Sequence, residues 1–111
     1  MTPEAIVQRQ VEAYNNRDID AFALCHHPDV ELYELGNPAP FAVGREKIRE
    51  VYADIFQNSP ELHTHIITRI QHNNIVIDKE RITGRKGRES FEMMAIYEVE
   101  DGMIRKARFI R

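Results

Sequence analysis

The sequence has no tryptophan, one cysteine and no long hydrophobic run. With Cys25 alone, no internal disulfide can form, and the usage fits a reducing compartment; a cytoplasmic location is expected. Without an apolar stretch of about 18 residues there is no candidate membrane-spanning helix. The opening Met1-Thr2-Pro3-Glu4 lacks a basic, then apolar, leader pattern, so no signal peptide is expected. Charge of one sign is also scarce. Fifteen Lys and Arg against 18 Asp and Glu give a net charge of -3, with no basic excess to hold a polyanion. No nucleic-acid or membrane partner is expected. Glycine and proline number five each and never cluster into a linker, so residues 1–111 read as one domain.

Apolar spacing supplies the elements. Thr2-Pro3 reads as an N-cap followed by proline at the first helical position. The helix runs to about Asn16, with Ile6, Val7, Val11 and Tyr14 on one stripe. Asp18 caps a short second helix through Ile19, Phe22, Ala23 and Cys25, which Pro28 is expected to end. Val30–Leu35 alternates as a strand, and Gly36–Pro40 is a rigid loop. Gly44–Phe56 carries Ile48, Val51, Tyr52, Ile55 and Phe56 at helical spacing. From Leu62 the pattern is β: Leu62–Gln71, Ile75–Thr83, Glu89–Val99 and Met103–Ile110, separated by Asn- and Gly-containing turns. Helices first and strands afterwards predict an α+β fold with helices on one face of a curved sheet.

These segments carry a likeness. Tyr14-Asn15-Asn16-Arg17-Asp18-Ile19-Asp20-Ala21-Phe22 resembles the joint between the first two helices of the nuclear transport factor 2-like superfamily. Pro28-Asp29-Val30 with its strand, then Gly44-Arg45-Glu46-Lys47-Ile48-Arg49, resembles the SnoaL-like and ketosteroid-isomerase-like members. Ile96–Ile104 resembles their last hairpin. The resemblance implies a cone-shaped barrel: three N-terminal helices packed on a strongly curved, mostly antiparallel sheet, around a mostly apolar cavity. It implies a homodimer through the outer sheet face. Some relatives isomerise or cyclise small polycyclic substrates and others only bind, so the fold alone does not assign an activity.

Steroid isomerases of this kind use a carboxylate base near the end of the first long strand. Glu34 is the nearest candidate here. Their two oxyanion donors fall at Gln10 and near Ala95, and neither residue is a match. A steroid isomerase is therefore not expected. Tyr52 falls at a tyrosine position that supports the oxyanion network, and His26 takes the place of another tyrosine. A His26–Tyr52 pair at the deep end of the cavity would supply a donor, or a base near neutral pH. The plainer alternative is that Tyr52 is a packed aromatic and His26 caps a helix end.

Asp78 and Glu80 share one face of a strand. Facing the cavity they would be paired carboxylates, one with a raised pKa and acid–base capacity. Facing outward they would be solvated, paired across strands. The pattern does not choose. Phe91, Met93, Ala95, Tyr97 and Val99 alternate with a more polar set and predict the concave side, where Met93 and Ala95 leave room for a ligand. Tyr14, Tyr52, Met93, Ala95 and Tyr97 are the candidate ligand contacts. Met94 and Ile96, apolar on the other side, suggest the dimer surface. His63 and His65 share a strand face, while His72 would face the other way in an unbroken strand. No metal and no cofactor are expected.

Two functions compete. One is an acid–base isomerase, cyclase or hydratase using Glu34, Asp78 or Glu80 with His26 and Tyr52. The other is a non-catalytic module that binds a small apolar or amphipathic molecule or serves dimerisation. Cavity size discriminates: below roughly 300 Å³ a packing role is favoured over a drug-sized ligand.

Overall fold

A computed structural model describes residues 1–111. Three helices, α1 (Pro3–Asn15), α2 (Ile19–Leu24) and α3 (Arg45–Asn58), accompany six strands: β1 (His26–Glu34), β2 (Ala42–Val43), β3 (His63–His72), β4 (Ile75–Thr83), β5 (Phe91–Glu100) and β6 (Met103–Ile110). The strands form one sheet in the order β2-β1-β6-β5-β4-β3. All pairings are antiparallel except β1 with β6. The expected α+β cone of helices on a curved sheet is present. The sheet does not close into a full barrel, because β2 and β3 are its two edges.

The helix starts follow the capping residues. Thr2 Oγ1 accepts from Ala5 N at 3.1 Å, and Asp18 Oδ1 accepts from Ala21 N at 3.1 Å, each satisfying an orphan donor. Ile6, Val7, Gln10, Val11 and Ala13 are the buried side of α1. That helix packs across β3 to β6, while α3 packs on β1 and α2. At its end, Asn15 imitates a strand residue. Its amide accepts from Thr64 N at 2.7 Å and donates to Thr64 O at 3.0 Å, tying α1 to the start of β3.

Three local expectations are corrected. The second helix ends at Leu24, four residues before Pro28, and β1 begins at His26. Pro28 is tolerated inside β1 because it lies in the register shift between His26 and Glu31, where the β6 ladder is interrupted. The two-residue β2 was missed; it is too short to show a period. In β3 a shift between Ile66 and Thr68 inserts Ile67 as an extra residue and reverses the alternation beyond it. His63, His65 and His72 pair with Thr83, Arg81 and Ile75, which puts all three on the outer face. No helix is long and apolar enough to cross a membrane.

Candidate functional site

Between the helices and the concave sheet lies a cavity of about 130 Å³. Its aromatic floor is built by α1, α2 and α3. The Phe22 ring sits 4.7 Å from Tyr52 and 4.8 Å from His26, and Tyr14 meets Phe56 edge-on at 5.4 Å. Such offset and edge contacts hold the rings without filling the centre. The sheet supplies Glu80, Met93 and Tyr97, and the β4–β5 loop supplies Arg85.

Of the candidate residues, His26, Tyr52, Glu80, Tyr14, Met93 and Tyr97 line this one cavity. Glu34, Asp78 and Ala95 do not. Glu34 stands at the end of β1 with its side chain 46% exposed, paired to Arg111 at 2.9 Å. Asp78 points inward but is fully buried, gripped by Arg69 through both oxygens at 2.6 and 2.9 Å. Ala95 lies beside Asp78 in the same cross-strand row and is buried beneath the wall. The face of β4 is thus decided: Val76, Asp78, Glu80 and Ile82 are buried, while Lys79 and Arg81 are exposed.

Glu80 is the exceptional group. Burial, and next the charge of Asp78, push its pKa up from 4.5 to about 8, with Arg69 and the Tyr97 hydroxyl pulling the other way. At neutral pH its carboxyl is therefore mostly protonated. Its Oε2 has no hydrogen-bond partner in the chain, nor does Gln10 Oε1 on the facing helix. These two unpartnered oxygens belong to residues of the cavity lining, one on α1 and one on β4.

His26 caps and lines at once. Its Nδ1 lies 2.8 Å from Phe22 O, a carbonyl at the end of α2, so Nδ1 carries the proton and donates. Nε2 is then the acceptor nitrogen. Burial above all holds the imidazole down, to a pKa of about 4, so it is neutral at physiological pH. Tyr14, Tyr52 and Tyr97 are each raised, chiefly by burial, and stay protonated donors. The cavity thus combines a neutral carboxylic acid, a neutral imidazole and three phenols. This set can move a proton within a dry site without first stripping a charge of its water. No three His, Cys, Asp or Glu side chains come together as a metal-ligating group.

The sequence reading missed Arg85 and Arg111 as lining residues, and it set Gln10 aside as no match at an oxyanion-donor position although Gln10 lines the cavity. Gln10 had a signal: it sits on the apolar stripe of α1, three residues after Val7 and four before Tyr14. Arg85 had none, since Gly84-Arg85-Lys86-Gly87 reads as an ordinary turn.

The SnoaL-like domain family matches residues 7–107. The chain belongs to the SnoaL-like domain family. A comparison with curated protein sequences finds no match. Among solved structures, this SnoaL-like chain is similar to an uncharacterized cystatin-fold protein from Novosphingobium aromaticivorans, with TM-score 0.92, 23% identity, and 100% and 99% of the two chains covered. It is also similar to a protein of ketosteroid-isomerase-like fold from Catenulispora acidiphila, in complex with trimethylamine, with TM-score 0.79, 20% identity and coverage of 100% and 87%. An LEH-like epoxide hydrolase from M. tuberculosis gives TM-score 0.78, 17% identity and coverage of 95% and 78%. At these identities the likeness carries the fold and not the chemistry.

Proposed function

We propose that this SnoaL-like protein takes a small molecule of about benzene size into the cavity and that Glu80 is its acid–base group. The unpartnered oxygens Glu80 Oε2 and Gln10 Oε1, both on residues that line the cavity, carry this reading. A volume of about 130 Å³ lies below the usual range for drug-sized ligands, which by itself favours packing. A packed core, however, rarely leaves two buried oxygens unmatched, because each costs roughly 1–3 kcal/mol. The volume does exclude a four-ring occupant. A cavity of similar size lined with hydrocarbon can hold benzene.

The chemistry that fits is proton transfer next to a carbonyl. Glu80 in its ionised form accepts the proton from the carbon beside the carbonyl, its pKa of about 8 making it a stronger base than an ordinary carboxylate. Returning the proton at another carbon isomerises the substrate. Tyr52 and Tyr97 donate hydrogen bonds to the developing oxyanion. Among fold relatives, one is an epoxide hydrolase and another is held in complex with trimethylamine, a four-heavy-atom molecule. Small-ligand chemistry on this fold is therefore not foreign to it.

The test is deuterium exchange at the α-carbon of small ketones and cyclic enones, followed by NMR with wild-type protein and Glu80→Gln. Exchange lost in the variant is the expected result. Ligand binding without exchange in the wild type leaves a binding module, the reading favoured by the largely hydrophobic lining. No binding at all overturns both.

The outer sheet face supports the homodimer. Ile70, Ile77 and Ile96 form a row across β3, β4 and β5, and Met94 pairs with Ile110 beside it. Ile70 is 61% exposed, a large apolar side chain to leave in water.

A further inference from the structure

Two cations line the cavity, and they are in different states. Arg111 is neutralised by Glu34, Nε to Oε1 at 2.9 Å. Arg85 is half-buried and forms no ion pair and no side-chain hydrogen bond; Asp54, which shares a surface crevice with it, is not within pairing distance. Arg85 borders both the cavity and that crevice, so it stands where the interior meets the outside. Its field reaches the interior, lowering the proton affinity of both Tyr14 and Tyr52 against the rise that burial causes.

The loop that carries it is fixed on both sides. A Cβ on Gly84 would collide with the Glu61 carbonyl, and Gly84 has φ +75°, so the chain passes Glu61–Leu62 at a distance only glycine allows. On the other side, Lys86 N donates to Ser59 Oγ at 3.1 Å. Arg88 N closes the turn onto Arg85 O at 3.1 Å, and the Arg88 guanidinium stacks 3.6 Å over Phe91, itself a lining residue. An arginine held between two such anchors, with its fork of donors unspent, suits a planar two-oxygen anion. The cavity offers no free anion to oppose one, because Glu80 retains its proton at neutral pH.

Building on the small-ligand reading above, we infer that the natural ligand is a small monocarboxylate whose carboxylate pairs with Arg85 and whose compact apolar body fills the aromatic cavity. A charge-assisted pair of this kind discriminates roughly tenfold to a hundredfold against a neutral isostere. Arg85 is then a specificity residue rather than an acid or base.

The experiment is titration calorimetry at pH 7 with benzoate, benzamide and benzylamine, three probes of one shape and different charge. Wild type is expected to prefer benzoate to benzamide by tenfold or more, with the preference shrinking as salt is raised. Arg85→Gln is expected to bind benzamide as the wild type does and to lose the preference for benzoate. Lys86→Gln, one residue along and off the cavity wall, is expected to keep it. Equal binding of benzoate and benzamide by the wild type, or a preference that survives Arg85→Gln, overturns the inference and leaves the cavity reading standing. A preference for benzylamine also overturns it and assigns recognition to an ionised Glu80. Failure of all three probes overturns the inference together with the cavity reading beneath it.

Discussion

Arg69 holds Asp78 through both carboxylate oxygens, at 2.6 and 2.9 Å, two residues along β4 from a Glu80 whose Oε2 has no partner. The two carboxylates share a face and differ in everything else. Asp78 is spent in a buried pair that Gln8 completes by accepting from Arg69 Nη1 at 2.8 Å. Its negative charge is the second cause, after burial, of the proton that Glu80 retains. Removing one partner strands the other. Asp78→Asn is expected to destabilise the fold by about 3–5 kcal/mol. The joint replacement Asp78→Leu with Arg69→Met should recover most of that loss. Urea denaturation of the three proteins measures it, and a double variant as unstable as the single one would contradict the assignment.

Glu80 makes stability fall on the alkaline side. Its carboxyl titrates near 4.5 when unfolded and about 8 when folded. Between those values the native state holds a proton that the unfolded chain has released, so stability decreases as pH rises. The contribution is complete below pH 4.5 and gone once pH passes about 8, a change on the order of 4–5 kcal/mol. Glu80→Gln is expected to flatten that limb and to exceed the wild type in stability at pH 8.5. Urea midpoints collected from pH 5 to 9 test it; a wild type with no slope above pH 6.5 would refute it.

His26 acts in the opposite direction. Its pKa falls from 6.5 to about 4 on folding, chiefly through burial. As pH drops through that window the unfolded chain takes up a proton that the native state refuses, so stability is lost toward acid. In the wild type this offsets the Glu80 slope between pH 4.5 and 6.5. In a Glu80→Gln background the acid limb stands alone, worth roughly 3 kcal/mol. Adding His26→Gln should flatten it, and thermal melts of the two variants from pH 4 to 7 decide the matter.

The fold was legible where spacing carries it. Ile75–Thr83 and Met103–Ile110 match their strands, and the Tyr52 helix differs only at its ends. The failures have local causes. Pro28 looked like a helix stop, but the β6 register gap had already made room for it. His72 would face away from His65 in an unbroken strand, but one inserted residue, Ile67, reverses the alternation without any mark in the sequence. At the site, the lining aromatics were readable as apolar positions, yet Asp78 and Glu80 were not separable. What divides them is Arg69, nine residues away in sequence and brought alongside only by the β3–β4 pairing. Glu34 was proposed from the resemblance alone, and its partner Arg111 arrives from the far end of the chain.

Gly84 is expected to tolerate no side chain. Gly84→Ala meets both a left-handed φ of +75° and the Glu61–Leu62 backbone, with Leu62 N at 2.9 Å from the new carbon. Gly102→Ala meets a similar φ of +72° with open space around it. The backbone term alone costs about 1 kcal/mol, and the collision should bring Gly84→Ala to about 2–4 kcal/mol. The difference in unfolding free energy between the two variants therefore isolates the close approach that fixes the Arg85 loop. Equal losses would mean that the loop simply moves aside.

The outer face makes a prediction about assembly. Ile70, Ile77 and Ile96 lie in register across three neighbouring strands, so lysines at the two ends of the row would put unpaired charge into a dimer contact made by this face. Ile70→Lys with Ile96→Lys is expected to convert a dimer into a monomer without unfolding it, since both sites lie off the cavity wall. Light scattering gives the mass and circular dichroism checks the fold. A wild type that remains monomeric at several hundred micromolar would remove the dimer. The apolar row would then be an unpartnered surface beside β3, an edge strand exposed along most of its length and so an aggregation risk.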